Sequence, residues 1–83
     1  MDDRRTLDQL KEIGAGRPAP EDVVFLYRQA FAEFGTAALW STIQLPQPTL
    51  AAALSITESL RVEGDRSARR LAERIEEACR AAL

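Results

Sequence analysis

The sequence predicts an all-α fold, a small helical bundle of three principal helices with a further N-terminal helix laid across them. Three observations lead to this prediction. Apolar residues recur at the 3.6-residue period of an α-helix, capping residues precede the periodic segments, and glycine or proline follows them. A chain of 83 residues has room for one domain, so residues 1–83 are expected to form a single helical domain.

The N-terminal helix is predicted from about Asp2 to Ile13, with Asp2 or Asp3 as its N-cap. Glycines at positions 14 and 16 end this helix, and a linker containing two prolines follows. Its apolar stripe has only three members, which are Leu7, Leu10 and Ile13. With so few anchors, residues 1–16 are expected to dock loosely on the rest of the domain.

The second helix is predicted to begin at Pro20 and to end at Gly35. Its core face follows the spacing i, i+4, i+7, i+8 and i+11, at Val23, Tyr27, Ala30, Phe31 and Phe34. Residues 36–45 fit either a short helix or an extended segment. We favour a short helix capped by Thr36 and followed by a loop, since a lone strand would have no partner.

The last two helices are predicted from about Thr49 to Glu63 and from Asp65 onward, with Gly64 ending the first of them. So short a join makes them neighbours in an antiparallel hairpin. The expected core face of the third helix is Leu50, Ala53, Leu54, Ile56, Thr57 and Leu60. The fourth helix has a heptad-like apolar seam formed by Ala68, Leu71, Ile75, Ala78 and Ala82. Three further apolar residues broaden this seam: Ala72, Cys79 and Leu83.

The composition argues against catalysis and against a bound metal or cofactor. The chain contains no histidine, the commonest general base and metal ligand. Its four glycines lie at segment ends and not in a phosphate-binding loop. Its single cysteine, Cys79, lies at the edge of an apolar face and is expected to be a buried, inert thiol. We therefore expect a protein that is not an enzyme and holds no cofactor or metal.

Nothing in the sequence predicts a membrane or secreted location. It has no run of 18 apolar residues, and no apolar signal-peptide segment follows Met1. A net charge of −2 gives no general attraction to nucleic acid or to an anionic membrane. We expect a cytoplasmic protein, since the reducing cytoplasm is the ordinary setting for an unpaired cysteine.

A stretch without charge is the first candidate for a partner-binding surface. No charged residue occurs from Phe34 through Thr57, and a domain this thin cannot bury the whole stretch. An exposed apolar patch is therefore expected around Trp40, Ile43 and Leu45. The alternative is that Trp40 plugs the end of the bundle. A second candidate contact is Phe25, which falls away from the apolar stripe of its helix.

Arginines on the fourth helix form a second candidate surface. Arg66, Arg70 and Arg74 recur at i, i+4 and i+8, with Arg61 and Arg69 nearby. Like charges at this spacing repel, and cations near a helix N-terminus oppose its dipole. One interpretation is a solvated face, and the other is a ridge that contacts phosphates or an acidic partner. The carboxylates of this helix belong to Glu73, Glu76 and Glu77. They are expected to face solvent and to pair with arginines of the same helix.

The residues from Leu54 to Arg61 faintly resemble the turn of a helix-turn-helix DNA-binding motif. Ser55 replaces the usual turn glycine, so one continuous third helix fits better. The leading functional hypothesis is a small non-catalytic protein–protein interaction module, either a homodimer or a small regulatory, antitoxin-like subunit of a larger partner. The alternative is a nucleic-acid-binding regulator that uses the arginine ridge.

Overall fold

A computed structural model describes residues 6–83, apart from the side chain of Leu7. This part of the chain forms four α-helices and no strand beyond an isolated bridge between Pro18 and Thr49. The helices are α1 (Leu7–Gly14), α2 (Glu21–Phe34), α3 (Leu50–Glu63) and α4 (Arg66–Ala82). The predicted all-α bundle is confirmed.

The hairpin of α3 and α4 forms as the sequence predicts. The Thr49 hydroxyl accepts a hydrogen bond from the Ala52 N–H at 3.1 Å, which caps α3. The Asp65 carboxylate accepts one from the Ala68 N–H at 3.0 Å, which caps α4. Gly64 ends α3 in an extended conformation, so the two helices are joined by two residues and pack side by side. The third helix is continuous, without the break that a helix-turn-helix motif would place near Ser55.

The core lies between this hairpin and α2. Every residue of the predicted face of α3 is buried. In α4 the buried positions are Ala68, Leu71, Ala72, Ile75 and Cys79. The predicted seam was therefore wrong at its end, because Ala78 is only half-buried and Ala82 is exposed. Burial follows the 4, 3, 4 spacing through Ala72 and Cys79, which turns the apolar seam toward the neighbouring helices.

Helix α2 closes the core against both members of the hairpin. It runs from Glu21 to Phe34, so Gly35 ends it as predicted, while Pro20 is its N-cap and not its first helical residue. Its buried residues are Val23, Leu26, Tyr27 and Ala30. Phe31 and Phe34 are only partly buried at the margin of the core.

Helix α1 begins later than the sequence predicted. Thr6 is its N-cap and forms a capping box with Gln9, where Asp2 or Asp3 was predicted as the cap. Asp2 and Asp3 lie outside the described residues. The helix packs on α3 through the buried Leu10, while Ile13 is exposed. An ion pair between Lys11 and Glu58 also joins the two helices.

Residues 35–49 are a loop, and the short helix expected after Thr36 does not form. The N–H groups of Ala38 and Leu39 both donate to the carbonyl of Phe34, at 2.8 and 3.1 Å. The chain makes one further turn at 40–42 and then runs irregularly to Thr49. Burial of Ala38 and Leu39 turns the chain back over the bundle, which competes with continued helix.

The hairpin join should not tolerate a side chain at Gly64. A Cβ there would lie 2.3 Å from the Ala68 Cβ and 2.5 Å from the Leu60 carbonyl oxygen, closer than real Cβ contacts. We expect Gly64→Ala to lower the free energy of unfolding by about 1–3 kcal/mol, as overpacking does. Gly16→Ala is the matched control, since nothing lies within 4 Å of a Cβ at that position. Urea unfolding followed by circular dichroism measures both, and equal effects would contradict the packing at this join.

Candidate protein-binding surfaces

The loop between α2 and α3 is anchored at three points. Its first anchor is the pair of buried residues Ala38 and Leu39 at the end of α2. The second is a hydrogen bond of 2.9 Å from the Leu45 N–H to the Tyr27 hydroxyl. The third is at its end, where the Ala19 N–H donates to the Pro48 carbonyl at 3.0 Å. Backbone fixed at three points holds the intervening side chains in place.

Three large apolar side chains project from this anchored loop. Trp40 is 72 % exposed, Ile43 is 83 % exposed and Leu45 is 42 % exposed. We call these three residues the loop surface. Trp40 does not plug the bundle, because that position is taken by its neighbour Leu39, which is 2 % exposed.

Tyr27 was predicted only as a core residue, but it also positions the loop surface. Its side chain is buried and its ring packs against Phe31 with a centroid distance of 5.1 Å. A buried tyrosine needs a partner for its hydroxyl, and the partner here is the backbone of Leu45. This need for a hydroxyl partner was the one indication in the sequence that Tyr27 does more than pack in the core.

Phe25 is also exposed, at 67 %, but it belongs to a different surface. It lines an open groove of about 560 Å³ between α2 and α4, together with Glu21, Asp22, Leu26 and Arg74. Residues two apart on an α-helix point in directions about 160° apart, so Phe25 faces away from the side of α2 where Tyr27 holds the loop. The structure therefore separates Phe25 from the other apolar candidates. The acidic residues of this groove were not singled out in the sequence.

Arg61 is engaged within the hairpin. Its Nε and Nη2 atoms donate to the two carboxylate oxygens of Glu76 at 3.0 and 2.8 Å. This bidentate contact raises the pKa of the Arg61 guanidinium, and nearby carboxylate charge adds to the effect against the cost of burial. The expectation that Glu76 faces solvent was wrong, since its side chain is 15 % exposed. The partner of Glu76 is Arg61 on α3, and the residue spacing within α4 does not indicate a contact with another helix.

Of the remaining arginines, three share one face of α4 and Arg69 is set apart from them. Arg66, Arg69, Arg70 and Arg74 are all exposed. Arg69 and Arg74 are five residues apart, so they point about 140° apart on α4. Arg74 lines the α2 side of the helix, whereas Arg69 lies two turns from Glu76 on the α3 side. Arg66, Arg70 and Arg74 point within about 80° of one another, so the predicted ridge is reduced to these three exposed arginines.

The described residues show no group that could hold a metal ion. No group of three metal-ligating side chains occurs among residues 6–83. Cys79 is fully buried, and burial, followed by the charges of Asp22 and Glu76, raises its pKa from 9.0 to about 12. Within the same residues, no helix combines the length and apolar character that a bilayer span requires.

Leu39 and Trp40 provide a matched test of the loop geometry. Leu39→Ala removes a buried side chain, so we expect it to lower the free energy of unfolding by about 2–5 kcal/mol. Trp40→Ala removes a side chain that is mostly in water, so its effect should stay within about 0.5 kcal/mol. Chemical unfolding of both variants measures the difference. A reversed order would place Trp40 in the core.

The thiol of Cys79 should make stability fall at high pH. In the unfolded chain this thiol ionises near pH 9.0, whereas in the folded chain it stays neutral until about pH 12. Its stabilising contribution is therefore complete below pH 9.0 and is lost as the pH rises toward 12. Between these values wild type should lose up to about 1.4 kcal/mol per pH unit relative to Cys79→Ala. Parallel unfolding curves at neutral and alkaline pH measure this, and identical pH dependence in the two proteins would contradict a buried thiol.

Two surfaces of the described residues are thus open to a partner. One is the loop surface, which is apolar, and the other is the groove between α2 and α4, which combines apolar and charged side chains. A proposal about function therefore rests on the chain's own residues. Comparisons with protein-family models, with curated proteins and with solved structures found no match to this chain.

Proposed function

We propose that this chain is a small non-catalytic protein–protein interaction module that docks on a larger partner protein through the loop surface. The observation that carries the proposal is the contrast between Leu39, which is buried, and Trp40, which is exposed in the same anchored loop. Large apolar side chains held in place lose little freedom on binding. Tryptophan is also the residue type most enriched among energetically dominant interface residues.

The chemistry of the loop surface defines the partner site. No charged residue lies within positions 35–57, so ion pairs cannot contribute to binding through this loop. The complementary site is an apolar pocket that accepts the Trp40 ring, with a hydrogen-bond acceptor for its indole N–H. Such binding should persist at high salt concentration, because its main contribution is the burial of apolar surface.

The proposal extends to a regulatory role as an antitoxin-like subunit of the larger partner. The chain supplies a docking surface, and its one thiol is buried with a raised pKa, so the proposal assigns it no catalytic group. A free, buried cysteine also suits a reducing compartment, and we propose the cytoplasm.

The geometry favours this function over the nucleic-acid alternative. A phosphate-binding ridge requires several cations on one face. Arg61 is engaged by Glu76 and Arg69 points to another side of α4, so the ridge is reduced to three cations, whereas the loop surface keeps all three of its apolar side chains exposed. The alternative is therefore kept as an outcome of the experiment below.

The single tryptophan of the sequence, Trp40, allows a direct test. A protein that co-purifies with the tagged chain from its native host at high salt is identified, produced separately and titrated back. Tryptophan emission of the free chain should be that of an indole in water and should be quenched by acrylamide. Binding of the purified partner, itself made without tryptophan, should shift the emission to shorter wavelength and protect it from quenching.

Calorimetric titration of variants then identifies the surface. Trp40→Ala should weaken binding of the partner by about 30-fold or more, the loss expected for a dominant interface residue. Val62→Ala is the matched control, since Val62 is 79 % exposed on α3 and should leave affinity unchanged.

Three results would overturn the proposal. The first is a free chain whose tryptophan emission is already shielded from acrylamide. The second is a partner that binds Trp40→Ala as tightly as wild type. The third is recovery of a nucleic acid whose affinity falls steeply with salt and is lost in the Arg70→Ala, Arg74→Ala double variant, which would support the alternative function.

A further inference from the structure

The groove between α2 and α4 contains charges of both signs around an apolar floor. Phe25 and Leu26 form the floor, Glu21 and Asp22 line the α2 wall, and Arg74 lines the α4 wall. Glu21 and Arg74 are both exposed, and neither has an ion-pair partner among residues 6–83. The groove thus combines an exposed aromatic ring with one unpaired acidic wall and one unpaired basic wall.

We propose that a second copy of this chain occupies this groove, related to the first by a two-fold axis. In such a contact a residue away from the axis meets a different residue of the other copy, and that contact occurs twice, whereas a residue on the axis meets its own counterpart. Glu21 of each copy then pairs with Arg74 of its mate, and the two Phe25 rings pack together near the axis. The proposal goes beyond the partner binding of the loop surface, because it uses another face and another occupant.

Charge complementarity is the reason for choosing a second copy. A patch of a single sign repels an identical patch, whereas a patch with one acidic and one basic wall is complementary to itself after a two-fold rotation. Arg70, one turn before Arg74 and also exposed, adds a second cation on the same face of α4. Two acids and two arginines give each copy a balanced patch that matches its own image.

The apolar floor and the size of the domain support the same occupant. Phe25, which lines this groove, is 67 % exposed, and aromatic residues and arginine are enriched in interfaces. A standard interface takes about 800 Å² from each partner, which is about 15 % of the 5411 Å² that this chain exposes. A domain with so thin a core also gains stability from self-association.

Exchange of the two charges tests the proposal on the full chain. Sedimentation equilibrium should show a concentration-dependent dimer of the wild-type protein. Glu21→Arg places two arginines opposite each other, and Arg74→Glu places two acids opposite each other. Each variant alone should therefore raise the dimer dissociation constant by about tenfold or more. An equimolar mixture of the two variants should dimerise again, because every contact between unlike variants pairs an acid with a base.

Recovery in the mixture also shows that both variants are folded. Matched controls are Glu63→Arg at the end of α3 and Arg69→Glu on the α3 side of α4, both of which should dimerise like wild type. A wild-type protein that stays monomeric over the accessible concentration range would overturn the proposal. So would a dimer that is unaffected by the two exchanges, or one that is dissociated by Trp40→Ala, which would place the second copy on the loop surface. A monomeric wild type, or a dimer unaffected by the exchanges, leaves partner binding through Trp40 intact, because Glu21 and Arg74 lie outside the loop surface.

Discussion

The close approach of α3 and α4 at their join is the constraint on which the rest of the fold depends. Gly64 leaves no room for a side chain beside Ala68, and Asp65 caps α4 directly afterwards. With the backbones this close, the buried faces of both helices meet along their length, and the Arg61–Glu76 contact fixes their register further out. Helix α1 then covers one side of α3, and α2 closes the core over the hairpin. The two proposed interaction surfaces lie where this arrangement leaves apolar residues uncovered.

The loop between α2 and α3 follows from the same geometry. It must carry the chain from the end of α2 back to the start of α3, and the backbone pairing of residues 17–19 with 48–50 fixes where it arrives. Leu39 and Pro48 supply the burial that holds its two ends, and Tyr27 holds its middle. Within residues 6–83, no helix covers Trp40 and Ile43. Their exposure is therefore a consequence of size and of anchoring together.

The sequence predicted those features that depend on neighbouring residues. Thr49 and Asp65 were recognisable as caps, and the buried face of α3 followed from its period. Features that depend on pairing between helices were not predictable. The engagement of Glu76 by Arg61 depends on the register of the hairpin, which the local spacing in α4 does not contain. In the loop, no periodicity distinguishes Leu39 from Trp40, so the sequence located an apolar patch but left the position of the tryptophan open. The groove around Phe25 needed two helices to become visible.

The two proposed surfaces lie on different sides of α2, and this separation has a functional consequence. Tyr27 faces the loop, whereas Phe25 faces the groove, so a second copy seated in the groove leaves the loop surface of each copy free. A dimer of this kind presents two apolar docking loops at a fixed separation. When such a dimer binds an oligomeric partner through one loop, binding of the second loop is intramolecular. This raises the apparent affinity without any new contact. On these two proposals, the groove sets how many loops act together, and the loop sets which protein they bind.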